Sequence, residues 1–175
     1  MKEKLLQEIK QAALELKKLS NTYKEMYVTA ESLTAGFIGA SIVEIPGSSL
    51  YFDRGFITYS NEAKMEVLGV KAETLRSFGA VSGPTVEQMV EGAINHSSLA
   101  TIGVAVSGIA GPDGGSAQKP VGTVWMGLKR KDSDVITNCY HFKGDREEVR
   151  LKTTLEAIKG LIALTKKDEP MFNDY

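Results

Sequence analysis

Apolar residues recur every three or four positions at the start of the chain: Leu5, Ile9, Ala12, Leu16 and Leu19, with Lys and Glu between them. That spacing predicts an amphipathic helix, which Ser20-Asn21-Thr22 is expected to break. Residues 26–30 then read as a short strand that turns at Glu31-Ser32. A helix over 34–44 follows, with Phe37, Ile38 and Ile42 on one face, and Pro46-Gly47-Ser48-Ser49 reads as a loop. Residues 55–59 form the next predicted strand, and a short helix over 61–68 starts at Ser60 or Asn61, either of which can cap it. Gly69 stops that helix, and a further short one over 71–78 stops at Gly79. Pro84 opens a longer helix whose buried stripe is Val86, Met89, Val90 and Ala93.

The run 100–106 is apolar throughout, as expected for a strand covered on both faces. A long Gly/Pro-rich loop, 107–122, separates it from two alternating segments, 121–129 and 135–142. Joined by the polar turn 130–134, these predict an antiparallel hairpin. The last helix is placed over 146–165. Strands alternating with helices and closed by a hairpin predict an α/β fold, a three-layer α/β/α sandwich with a mixed central sheet. Residues 1–165 are expected to form a single domain, followed by a polar tail over 166–175.

Composition narrows the classes of function. The 175 residues carry 21 Lys and Arg against 22 Asp and Glu, a net charge of −1. That balance argues against bulk electrostatic binding of nucleic acid or an anionic membrane. Cys139 is the single cysteine, so an internal disulfide and a thiolate metal cluster are both ruled out. A reducing, cytoplasmic setting is expected. No apolar run approaches the ~20 residues of a membrane span, and residues 1–10 alternate charge with Leu and Ile, unlike a signal peptide.

Ligands of open α/β sheets bind beyond the carboxyl ends of the strands. Three predicted strand-end loops have unusual composition: 30–36, 59–64 and 107–116. In the first, Ser32 sits beside free amides at a strand-to-helix turn. It can be a nucleophile with an oxyanion hole, or Ser32 or Thr34 can simply cap the helix. A serine needs a base, and His96 and His141 are poorly placed, one at the far end of a helix and the other late in the hairpin. Lys64, in the first turn of its helix, is the alternative. It would have to be partly neutral, whereas a free lysine is unprotonated at pH 7 in only about one molecule in a few thousand. Burial can lower its pKa. A solvated helix lysine is the plainer reading.

Gly108, Gly111, Gly114 and Gly115 let backbone approach a ligand, and their amides can form an anion nest, although a connection without ligand fits as well. Lys143-Gly144-Asp145-Arg146 brings cations to a helix start suited to phosphate, or is only a start capped by Asp145. Glu31, Glu62, Asp113 and Asp145 share no recognised metal-ligand spacing.

The strings Ala30-Glu31-Ser32-Leu33-Thr34-Ala35-Gly36, Gly47-Ser48-Ser49, Arg54-Gly55-Phe56-Ile57-Thr58-Tyr59-Ser60-Asn61-Glu62-Ala63-Lys64 and Gly79-Ala80-Val81-Ser82 resemble the C-terminal domain of the competence/damage-inducible protein CinA. So do residues 107–115, 119–125 and Gly144-Asp145-Arg146, so the resemblance spans nearly the whole chain. It implies hydrolysis of the carboxamide of nicotinamide mononucleotide to nicotinate mononucleotide and ammonia, in pyridine-nucleotide recycling, without metal or cofactor. By motif position Ser32 is the nucleophile, Lys64 the base, and Tyr59 belongs to the same pocket, its hydroxyl orienting Lys64 or Ser32. The amides of Leu33, Thr34 and Ala35 are the expected oxyanion hole, beside Gly36. The substrate pocket is expected to include Ser48, Ser107, Gly108, Ile109, Ala110, Gly111, Gly114 and Gly115, with Arg146 near the ribose phosphate. Ala35 departs from the family, which often has glycine there. Larger family members carry an N-terminal pyrophosphatase domain, which this chain is expected to lack. A homo-oligomer is expected. The rival readings are a non-catalytic pyridine-nucleotide-binding module and an amidase for another small amide.

Overall fold

The computed structural model describes residues 1–167, so the tail expected over 166–175 lies, from residue 168 on, outside the described residues. The first helix, α1 (Lys2–Tyr23), does not break at Ser20-Asn21-Thr22. Ser20 and Thr22 donate their hydroxyls back to the carbonyls of Lys17 and Lys18, within the helix. The chain leaves α1 at Lys24, which adopts a left-handed conformation.

Strand β1 (Tyr27–Glu31) is buried at every position. Helix α2 (Phe37–Val43) starts three residues later than its apolar pattern predicts, because Ala35 and Gly36 both have positive φ. Ser48–Leu50 makes one 3₁₀ turn before β2 (Phe52–Ile57). Then come α3 (Asn61–Leu68), capped by the Ser60 hydroxyl, α4 (Ala72–Phe78) and α5 (Gly83–Asn95), capped by Ser82. The strands β3 (Ile102–Gly108), β4 (Thr123–Arg130) and β5 (Ile136–His141) lead to α6 (Arg146–Lys166). A reciprocal capping box between Asp145 and Glu148 starts α6.

The five strands form one sheet in the order β2-β1-β3-β4-β5. β1 pairs parallel with β2 and β3, whereas β4 is antiparallel to β3 and β5, so the sheet is mixed, as expected. The two-residue period of the strands sorts side chains between two cores. Tyr27, Ile102, Val104 and Val106 meet α1, α2 and α6 on one face. Val28, Ala30 and Ala105 meet α5 on the other, where α3 and α4 pack against α5. The result is the three-layer α/β/α sandwich. Within the second layer, a Cβ on Gly92 of α5 would lie 2.0 Å from the carbonyl oxygen of Leu68, the last residue of α3. The two helices therefore meet backbone to backbone. No helix among the described residues is long and apolar enough to cross a membrane.

The chain leaves β1 toward α2 on one face and leaves β2 toward α3 on the opposite face. Divergent connections from adjacent parallel strands open a crevice at their carboxyl ends.

Candidate active site

The crevice is built first by the turn that leaves β1. The Ser32 amide donates to Val106 O, continuing the sheet by one residue, and the Thr58 amide does the same to Glu31 O on the other side. The chain then tightens: the Ala35 amide donates to Ser32 O and the Phe37 amide to Thr34 O. Ala35 sits at φ 50°, a region that costs a residue with a Cβ roughly 1–2 kcal/mol. Glycine at this position avoids that cost.

The carboxylate of Glu31 holds the turn from within. It is buried and accepts from Thr29 Oγ1 at 3.0 Å, Thr34 Oγ1 at 2.8 Å, Ile38 N at 2.9 Å and Gly39 N at 3.0 Å. Two of these donors are free amides of the first turn of α2, so the acid acts as an internal cap. From outside, Arg150 of α6 donates Nε to Leu33 O at 2.8 Å and Nη2 to Thr34 O at 3.2 Å. Neither Glu31 nor Arg150 is expected from sequence in this role. The i, i+4 spacing of Arg146 and Arg150 on the last helix is the signal that points to the second.

The second wall is α3. Lys64 is 1% exposed, and its amine reaches across from the opposite face of the sheet. Nζ lies 3.1 Å from Ser32 Oγ, 3.0 Å from Thr58 O and 2.9 Å from Tyr59 O. All three neighbours are uncharged, and among the described residues no carboxylate pairs with this amine. Desolvation therefore acts unopposed and lowers the Lys64 pKa from 10.5 to about 8. The contact set suits a neutral amine. Its two N–H groups match two carbonyls, which can only accept, and its lone pair is left for the one neighbour that can donate, the Ser32 hydroxyl.

Several sequence expectations need correction. The Ala35 amide is engaged by Ser32 O, so of the three amides expected in the oxyanion hole only those of Leu33 and Thr34 have no acceptor among the described residues. Tyr59 contributes its carbonyl, not its hydroxyl, to Lys64; the residue is 61% exposed and its hydroxyl lies 3.4 Å from Arg146 Nη2. Ser48 precedes β2, whose first residue, Phe52, pairs with Tyr27 at the start of β1. Parallel pairing thus places Ser48 at the end of the sheet opposite Ser32.

The glycine-rich loop is partly structural. A Cβ on Gly108 would meet Thr123 O at 2.8 Å, and one on Gly111 would meet Val121 Cγ1 at 2.5 Å, so both glycines admit neighbouring chain. The Ile109 amide is taken by Thr123 O. Ser107, buried, is one residue beyond the Val106 carbonyl that pairs with Ser32. Arg146 ties the loop to the crevice through Nη1 to Gly111 O at 2.8 Å. A cavity of about 610 Å³ opens there, lined by Ala110, Pro112, Val121 and Arg146 among others, with Lys2, Asp145 and Glu147 at its side. Gly114 and Gly115 lie in the exposed part of the loop beyond Gly111. Neither histidine reaches Ser32: His96 caps the far end of α5, and His141 lies near Thr123 and Cys139. Among the described residues no three of His, Cys, Asp and Glu gather where they could hold a metal ion.

An open mixed α/β sheet holds at its crevice a buried serine beside a buried lysine that no carboxylate pairs with among the described residues. The family follows from comparison: the model of the CinA C-terminal domain matches residues 9–165, and the chain belongs to that family. The nicotinamide-nucleotide amidohydrolase PncC of Enterobacter agglomerans is 53% identical over 137 residues, which are 78% of this chain and 83% of that one. Its counterpart from Escherichia coli K12 is 50% identical over 76% of this chain and 80% of its own length. The solved competence/damage inducible protein CihA of Agrobacterium tumefaciens superposes with a TM-score of 0.86 at 45% identity, covering 90% of this chain and 95% of that one. A CinA-like protein of Akkermansia muciniphila matches 80% of this chain at 43% identity but is matched over only 34% of its own length.

Proposed function

We propose that this protein is an amidohydrolase that converts nicotinamide mononucleotide to nicotinate mononucleotide and ammonia through a serine nucleophile and a lysine base. The substrate reading rests on the amidohydrolases to which the chain is 50–53% identical over three quarters of its length. The observation that carries the chemistry is the approach of Lys64 Nζ to Ser32 Oγ at 3.1 Å, with no carboxylate among the described residues paired with the amine.

With a pKa of about 8, roughly a tenth of Lys64 is neutral at pH 7, some hundreds of times more than for a free lysine. Neutral Lys64 takes the Ser32 proton as Oγ adds to the carboxamide carbon. The amides of Leu33 and Thr34 receive the developing oxyanion. The resulting ammonium of Lys64 stays hydrogen-bonded to Thr58 O and Tyr59 O, and gives its proton to the departing nitrogen, releasing ammonia. Water then attacks the acyl ester with Lys64 again as base, and Ser32 recovers its proton. Arg146, which lines the 610 Å³ cavity, is the cation assigned to the phosphate in this reading.

Ammonia and nicotinate mononucleotide released by wild type, Ser32→Ala and Lys64→Ala test this directly. The wild type is expected to turn over, and each variant to lose about 10²–10⁴ in rate while keeping its fold. Folded variants with wild-type rates would remove the mechanism. Binding of the mononucleotide without product would leave only a nucleotide-binding module. A homo-oligomer in a reducing, cytoplasmic setting belongs to the same reading, and light scattering of the purified chain tests the assembly.

A further inference from the structure

The turn that carries Ser32 has to present its amides to the crevice, and its own internal bond fixes the Ser32–Leu33 peptide plane but not the Leu33–Thr34 plane. A trans peptide directs its C=O and the following N–H to opposite sides. Ser32 O is held by the Ala35 amide, which turns the Leu33 N–H away from that internal bond. Leu33 O is held by Arg150 Nε at 2.8 Å, on the α6 side of the sheet. The Thr34 N–H is thereby aimed away from α6, toward the side from which Lys64 arrives through α3. The second arm of the same guanidinium, Nη2, holds Thr34 O at 3.2 Å, so one rigid fork fixes two consecutive carbonyls. Arg150 has no ion-pair partner among the described residues. A half-buried arginine spends both arms on backbone.

We infer that Arg150 is a positioning residue: it orients the Leu33–Thr34 peptide so that the Thr34 amide serves as an oxyanion donor. The inference rests on the proposed acyl-transfer chemistry at Ser32. It assigns Arg150 a role in transition-state stabilisation and none in substrate binding, in contrast to Arg146.

Arg150→Gln and Arg150→Lys separate these roles. Both remove the fork, one without charge and one with it, so that a folding defect in one does not decide the matter. With nicotinamide mononucleotide, kcat should fall about 10²-fold with KM held within about threefold, the signature of an interaction made only in the transition state. The pH midpoint set by Lys64 should not move. Thionicotinamide mononucleotide gives a readout that a merely structural role would leave alone, because sulfur accepts hydrogen bonds weakly. The amide-to-thioamide rate ratio should be large in the wild type and should collapse in both variants. An unchanged ratio, or a loss expressed only in KM, overturns the assignment, and loss of the fold in both variants makes Arg150 a structural residue. A wild type that releases no ammonia overturns the proposed function together with this inference. An active wild type with equally active variants overturns this inference alone.

Discussion

The two ends of the sheet each hold a cation, half-buried Arg130 at one and buried Lys64 at the other, and they treat it in opposite ways. At the end where β1 and β3 begin, Arg130 of β4 meets Glu25, with Nη1 2.6 Å from Oε1, and its other arm reaches Leu164 O. Glu25 also accepts from Thr101 Oγ1, and the arrangement closes the N-terminal edge of β1 and β3. At the other end, Lys64 meets two carbonyls and a hydroxyl. Arginine cannot give up its proton, so Arg130 stays charged, and the Glu25 carboxylate balances that charge. Lysine without an anion can become neutral, and burial alone lowers the Lys64 pKa to about 8. The difference separates a clamp from the base proposed above: a cation paired with a carboxylate stabilises the sheet edge, and one with no carboxylate partner among the described residues would hold a proton that can move.

The sharpest way to break this contrast is to exchange the two behaviours. Lys64→Arg keeps a cation but removes any accessible neutral form, and ammonia release should drop by about 10²–10⁴. It should also lower Tm above pH 8, where wild-type Lys64 is neutral and arginine keeps a charge buried among neutral acceptors. An active Lys64→Arg would refute the role of Lys64 as base. At the opposite end, Glu25→Gln strips Arg130 of its counter-charge and should cost about 1–3 kcal/mol of stability in urea titration, with kcat unchanged. A change in kcat there would show that the two ends are coupled.

The pH dependence sharpens the same comparison. The rate constant kcat/KM should rise with pH to a plateau, with a midpoint about 8 set by deprotonation of Lys64 in the free enzyme. Stability carries the matching signature. Below pH 8 both folded and unfolded Lys64 are protonated, and its burial is a constant penalty. Between about 8 and 10.5 the unfolded chain binds the extra proton, so stability gained from this group increases with pH across that window. Denaturant midpoints of wild type and Lys64→Met should therefore shift relative to each other between pH 8 and 10.5 and stay parallel below it. The smallest effect concerns Ala35. Ala35→Gly relieves its left-handed backbone and should stabilise by about 1 kcal/mol or less, because glycine also frees the unfolded chain.

Much of this architecture is legible in the sequence. Val86, Met89, Val90 and Ala93 face one core as their spacing predicts, and α3 begins and ends at Ser60 and Gly69 as their chemistry predicts. Ser32 and Lys64 can be paired because a serine at a strand end lacks a histidine and a lysine stands at the next strand end. What local pattern does not supply is orientation. Tyr59 reads as a hydroxyl and acts through its carbonyl. Arg150 lies 117 residues from Leu33, and only the packing of α6 against the sheet brings them together. Ser48 falls outside the crevice for a reason already present in the strand order: a segment preceding a parallel strand belongs at that strand's starting end. Ser20 and Thr22 mislead because hydroxyls that favour turns can also be satisfied inside a helix.

Gly92 extends the active region well past the crevice. Since α5 touches the carbonyl of Leu68 with no side chain between them, the helix that presents Lys64 has its position set against α5, one turn away from the amine's own residue. A single methyl group at Gly92 would push α3 away from α5. The nitrogen would then be displaced from the serine oxygen by a mutation that meets neither of them, and residues that carry no chemistry would govern the alignment of those that do.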